Sequence, residues 1–137
     1  MNIPRTLAAL LTGLALTASA QDYPNRPIRY ILPNGPGSNA DLFARLIAQK
    51  LSDHFGQQVV VDNRPGGNTV IGTDAVAKSA PDGYTLLSIG SGHVTTTLLM
   101  ATPYDPFRDF TPVVNAGTSP NIIFVNPNTA AKNLVEL

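Results

Sequence analysis

The chain has no cysteine and no tryptophan, carries little charge, and past its first twenty residues contains no apolar run of membrane-spanning length. Without cysteine there is no disulfide to staple a small fold and no thiol to receive a lipid, so side-chain packing must hold the structure. Its two histidines, His54 and His93, stand alone, with no spaced set of carboxylates or thiols around them, so no metal and no cofactor is expected. Charged residues make up 13% of the chain, about half the usual share. The nine Lys and Arg are balanced by nine Asp and Glu, which leaves no basic face for nucleic acid. What is present is ample apolar material, 43% over 137 residues, enough to build one modest core.

Residues Met1 to Ala20 read as an export signal. Arg5 supplies the charged start, Leu7 to Leu16 the apolar stretch, and Ala18-Ser19-Ala20 an A-x-A site with cleavage expected after Ala20. The stretch is shorter than the roughly 20 residues a spanning helix needs, which favours a cleaved signal over an anchor.

The most informative segment follows. A strand-like run, Ile28 to Leu32, empties into Pro33-Asn34-Gly35-Pro36-Gly37-Ser38-Asn39-Ala40-Asp41 and then into a helical pattern that ends near Phe55-Gly56, with Gly56 suited to a left-handed cap. Small residues at the start of a helix leave backbone N–H groups uncovered at the positive end of the dipole, a place that favours an anion. Asp41 in that first turn is explained by capping alone, so the amides around Ser38 and Asn39 are the better candidates for contact with a ligand.

Further on, Gln58 to Asp62 reads as a buried strand, Val70 to Ser79 as a short helix, Pro81-Asp82-Gly83 as a turn and Tyr84 to Ile89 as a third strand. Strand, helix, strand, helix, strand is the order of an α/β unit with a parallel sheet, whose ligands sit beyond the carboxyl ends of the strands. The segments expected there are Asn34 to Asn39, Asn63 to Asn68 and Gly90 to Thr95, the last read as a loop. From Pro103 to Pro112 the prolines exclude a continuous helix, and Tyr104 and Phe107 read as packing residues. Asn121 to Asn126 looks strand-like, and Ala130 to Leu137 looks like the opening of another helix.

Several motifs, in order, carry a resemblance: Tyr23-Pro24-Asn25-Arg26-Pro27-Ile28, Pro36-Gly37-Ser38-Asn39-Ala40-Asp41, Asn63-Arg64-Pro65-Gly66-Gly67-Asn68, Ala80-Pro81-Asp82-Gly83-Tyr84-Thr85-Leu86-Leu87, and Pro103-Tyr104-Asp105-Pro106 with Asp109-Phe110-Thr111-Pro112. Together they resemble the Bug family, the periplasmic substrate-binding proteins of tripartite tricarboxylate transporters. The resemblance implies a non-enzymatic, two-lobed α/β protein of the periplasmic-binding-protein type, with a largely parallel sheet flanked by helices. Such a protein closes around a small organic carboxylate and delivers it to the transporter's membrane subunits. It also implies an N-terminal portion of such a protein: a signal over 1–20, a first lobe over 21–111, and the start of a second lobe over 112–137. The ligand contacts it implies are Gly37, Ser38, Asn39, Ala40 and Asp41 in the first loop and Ser91, Gly92, His93 and Thr95 in the second. Asn34 stands where the family often has an aromatic residue, and Ala40 where it often has a hydroxyl.

One rival reading comes from the residues themselves. Gly35 to Ala40 fits the relaxed dinucleotide pattern G-x-G-x-x-G/A, and Asp62 stands near the place of a ribose-binding acid, which would make this a Rossmann-like oxidoreductase domain. Pro36, which stiffens the turn, counts against it. Gly90-Ser91-Gly92 lacks the elbow of a serine hydrolase. Arg64 is equally suited to a ligand carboxylate and to local partners, and His54, near a helix end, reads as structural.

Overall fold

In the computed structural model, residues 23–118, 122–131 and 133–136 are described; the export signal of the sequence reading lies outside them. Six elements follow in order: β1 (Ile28–Leu32), α1 (Asn39–Phe55), β2 (Val59–Asn63), α2 (Val70–Ala77), β3 (Thr85–Leu87) and α3 (Gly92–Leu99). The strands form one parallel sheet in the order β2-β1-β3, with Ile28 beside Val59 and Arg29 beside Thr85.

The central strand explains the layering. Residues along a strand alternate between faces, and Ile28, Tyr30 and Leu32 turn to one side, where they bury against Ala44, Ala48 and Val59. Ala40, Ala44 and Ala48 recur at helical spacing along α1, and their small side chains let the helix lie close on the sheet. Ile31, 1% exposed, faces the other side, where α2 packs on β1 and β3. A sheet covered on both faces needs apolar strands rather than alternating ones, which β1 supplies.

Two local devices fix the frame. At the end of α1, Gly56 adopts φ 64° and ψ 13°, the left-handed cap, and its N–H donates to the Ser52 carbonyl. Ser52 Oγ in turn donates to the Ala48 carbonyl at 2.7 Å and accepts from the Val59 N–H at 2.9 Å, which ties the helix end to the first residue of β2. In α2, Gly72 is a close approach: a Cβ there would stand 2.8 Å from the Arg64 carbonyl oxygen and 3.0 Å from Pro33 Cβ.

The elements expected over 28–32, 42–55, 58–62, 70–79 and 84–89 are present with shifts of boundary, and α1 already begins at Asn39, inside the segment read as the turn. Three expectations need correction. Gly90 to Thr95 is not a loop throughout, because Gly92–Leu99 is helical. The run Val94-Thr95-Thr96-Thr97 argues against a helix by propensity. Packing overrides it, since Thr96 is 1% exposed and exchanges hydrogen bonds with Asn68. Residues 122–126 form no strand: Ile122, Ile123 and Phe124 are exposed and have no ladder beside them, while Asn121 lies outside the described residues. Residues 134–136 form a turn rather than the opening of a helix.

Candidate functional site

The carboxyl ends of the three strands deliver three helix starts to one edge of the sheet, and these starts differ in what they leave uncovered. At α1 the sequence Ser38-x-x-Asp41 forms a reciprocal cap. Ser38, extended at φ −69° and ψ 160°, accepts the Asp41 N–H on its Oγ at 3.2 Å. Asp41 reaches back and accepts the Gly37 N–H on Oδ2 at 2.9 Å. The Leu42 N–H is taken by the Ser38 carbonyl. Among the described residues this leaves the N–H groups of Asn39 and Ala40, consecutive in the first turn, without a protein partner. Asn39 is exposed and Ala40 half-buried.

Asp41 would repel an anion if it faced one, and it does not. It is 2% exposed, its Oδ2 also pairs with Arg45 Nε at 3.0 Å, and its Oδ1 accepts from Asn63 Nδ2 at 2.9 Å. The Arg45 hydrogen bond, the Gly37 amide and Asn63 together hold its carboxyl down at about 2. Asn63 also donates to the Asn34 carbonyl at 3.0 Å and accepts from an Arg45 terminal nitrogen at 3.2 Å. One side chain at the end of β2 thus pins both arms of the β1–α1 turn. The sequence reading placed Asn63 at this end of the sheet without giving it a role, and did not single out Arg45. The i, i+4 spacing of Asp41 and Arg45 is visible in the sequence, whereas the bond from Asn63 depends on strand register.

The start of α2 is strained and internally engaged. Asn68 and Thr69 both adopt left-handed backbone, at φ 49° and 77°, and for a β-branched threonine this is an outlier. Asn68 is held by Thr96 of α3, whose Oγ1 accepts from Asn68 Nδ2 at 3.1 Å and donates to the Asn68 carbonyl at 3.2 Å. The Val70 and Ile71 amides are taken by Gly67 and Gly66 carbonyls. At α3 the His93 amide goes to Gly90, and the Val94 and Thr95 amides go to Ser91. Thr95 Oγ1 also donates to the Ser91 carbonyl, at 3.1 Å. Gly92 keeps its N–H, and Ser91 and Thr95 are exposed.

The structure therefore brings Gly37 to Ala40 and Ser91, Gly92 and Thr95 to the same sheet edge, and turns two of the expected site residues elsewhere. Asp41 is consumed by its own loop. His93 lies against the segment after α3, with Nε2 2.8 Å from the Pro106 carbonyl oxygen and its ring against both Tyr104 and Phe110, which also meet each other edge-on. Tyr104 is a buried packing residue, as expected, whereas Phe107 is 74% exposed and does not pack as expected. Arg64 pairs with Asp62 at 3.1 Å, and Arg29 pairs with the same carboxylate at 2.9 Å. Those partners, Arg29 first, lower the Asp62 pKa. An acid held this way by its own chain is not offered to a ribose. Among the described residues no cluster of His, Cys, Asp or Glu is arranged to hold a metal ion, and no helix is long and apolar enough to cross a membrane.

In open parallel sheets a ligand sits beyond the carboxyl ends of the strands, where these helix starts gather. The family described as Tripartite tricarboxylate transporter family receptor, TctC, matches residues 43–137, and the chain belongs to it. Protein BugT of Bordetella pertussis (strain Tohama I) is 43% identical over 98% of this chain and 44% of its own length. A UPF0065 protein from the tcbD-tcbE intergenic region of Pseudomonas sp. (strain P51) is 38% identical over 99% of this chain and 43% of its own. The chain thus spans less than half the length of these relatives. Among solved structures, the periplasmic binding protein BugD superposes with a TM-score of 0.63 at 37% identity, covering 66% of this chain and 30% of that one. MatC from Rhodopseudomonas palustris, solved with bound malate, superposes with a TM-score of 0.61 at 33% identity, covering 66% and 32%.

Proposed function

We propose that this chain supplies the first lobe of an exported solute-binding protein that captures a small organic carboxylate for a tripartite tricarboxylate-type transporter. The observation that carries the reading is the α1 start. Two consecutive amides, of Asn39 and Ala40, stand open at the positive end of a 17-residue helix, while the nearby acid is turned inward and neutralised by Arg45. A carboxylate placed there accepts charge-assisted hydrogen bonds without meeting a negative side chain. Gly37 and Ser38 shape that turn. Ser91 and Gly92, on the same sheet edge, supply a hydroxyl and an amide for the rest of the ligand, and Thr95 Oγ1, whose proton goes to the Ser91 carbonyl, is left to accept from a ligand hydroxyl. MatC, of the same fold, carries malate, which supports the ligand class.

Residues 112–137 begin a second lobe in this reading, and closure of the lobes would expel water and strengthen the contacts. Met1 to Ala20 direct export to the periplasm and are removed after Ala20. The protein binds and delivers its ligand without transforming it. The test is calorimetric titration of the chain, and of the chain extended to the length of its relatives, with malate, succinate and an uncharged diamide control. Saturable heat from the dicarboxylates alone supports the reading. Absence of heat from every carboxylate in the extended form refutes it.

A further inference from the structure

His93 is the one histidine built into the sheet edge, and it makes no use of its place in the α3 turn to face outward. Its Nε2 lies 2.8 Å from the Pro106 carbonyl oxygen, an atom that only accepts, so Nε2 carries the proton. Its ring lies parallel to Tyr104 with centroids 6.3 Å apart and meets Phe110 edge-on at 4.8 Å. Nδ1 is buried without a protein partner, which suits a bare nitrogen against rings rather than a second N–H. The carbonyl it grips is held in a braced turn. Asp105 accepts the Phe107 and Arg108 amides at 2.9 Å on Oδ1 and pairs with Arg108 Nε, while Asp109 accepts the Asp105 amide at 2.7 Å.

We infer that His93 is a positioning residue, a latch that fastens the first turn of α3 to the 104–110 segment so that the two move as one body. The inference rests on the carboxylate reading for its functional meaning: the turn it fastens carries Ser91, Gly92 and Thr95. His93 itself does not touch the ligand. Its role is to hold those donors at a fixed angle to the chain that leads away from the lobe, so that any movement of that chain is felt at the site.

Three readouts on this chain test the latch. In long-range nitrogen–proton NMR of the imidazole, the proton is expected on Nε2 with Nδ1 bare; the opposite tautomer overturns the inference. In hydrogen exchange, His93→Phe keeps a ring but removes the donor. It is expected to speed exchange about tenfold, the scale of one lost hydrogen bond, at Thr95 to Thr97 and at Phe107 to Asp109 together. His93→Gln, whose amide nitrogen reaches the same place, is expected to restore most of that protection. Acceleration confined to one segment, or equal in both variants, overturns the coupling. With malate as the probe, His93→Phe is expected to bind about tenfold more weakly and His93→Gln within about threefold of the parent. If the chain extended to the length of its relatives binds no carboxylate, the carboxylate reading fails, and the tautomer and exchange results still decide the latch.

Discussion

Replacing Asn63 by alanine probes the device that aims the α1 start. The substitution removes a donor to the buried Asp41 carboxylate at 2.9 Å, a donor to the Asn34 carbonyl at 3.0 Å and an acceptor for Arg45 at 3.2 Å. A hydrogen bond to a charged group contributes roughly 1.5–3 kcal/mol and a neutral one about 1. The Arg45–Asn63 contact is exposed and long, and adds little. Water reaching the half-buried Asn34 carbonyl offsets part of the loss, so the expected destabilisation is about 2–3 kcal/mol. With a urea m-value of about 1–1.5 kcal/mol/M for a domain of this size, the unfolding midpoint should fall by about 2 M. Gln49→Ala, on the exposed face of α1, is the control and should stay within about 0.5 kcal/mol. Asn63→Asp sharpens the reasoning, because it sets a second carboxylate beside Asp41. That variant should be the less stable of the two at neutral pH and should recover as the pH falls through the carboxylate range and one acid takes up a proton. A midpoint for Asn63→Ala indistinguishable from Gln49→Ala would refute the claim that this side chain pins the turn.

Other consequences are equally specific. Gly56→Ala, with nothing within 4 Å of the new Cβ but φ at 64°, should cost about 1–2 kcal/mol in urea unfolding purely through backbone strain. Gly72→Ala should cost about 1–3 kcal/mol even though alanine is the better helix former, because its Cβ would press on the Arg64 carbonyl and Pro33; a stabilised variant would show that α2 sits further from the sheet. Asp41 has its folded-state pKa lowered to about 2, so the unfolded state binds more protons as the solution is acidified. Its contribution is present above the unfolded value near 3.8 and is lost as the pH falls from there towards 2. Asp62 and Asp105, also lowered, act in the same direction, and Asp41→Asn should flatten the acid limb of a stability–pH curve.

How much of this was legible depends on how local each cause is. β1, the end of α1 and the left-handed Gly56 follow from apolar spacing and cap chemistry within a few residues and stand where expected, while the cap at Ser38 starts α1 at Asn39, ahead of the apolar pattern that opens at Leu42. The parallel order of the sheet follows from the alternation of elements. The α3 helix was hidden because its β-branched threonines speak for a strand or loop, and only the bond between Thr96 and Asn68, 28 residues apart, makes sense of them. Ile122 to Val125 shows the opposite failure: an apolar run reads as a strand, yet no ladder forms there, and strand propensity without a neighbour has nothing to act on. At the site, the inward turn of Asp41 was foreshadowed by its place three residues after Ser38. The direction of His93 was not, since its partner Pro106 lies in a different turn.

The central claim is that bare backbone amides at the start of α1 hold a carboxylate, and proline can delete one of them cleanly. Asn39 is the first helical residue and Ser38 before it is extended, both of which proline tolerates, so Asn39→Pro removes an N–H and leaves the helix in place. The measurement is malate affinity by calorimetry for the parent, Asn39→Ala and Asn39→Pro, with urea midpoints alongside. The expected result is parental affinity for Asn39→Ala and a loss of about tenfold or more for Asn39→Pro at an unchanged midpoint. Malate binding by Asn39→Pro as tight as that of Asn39→Ala would contradict the account.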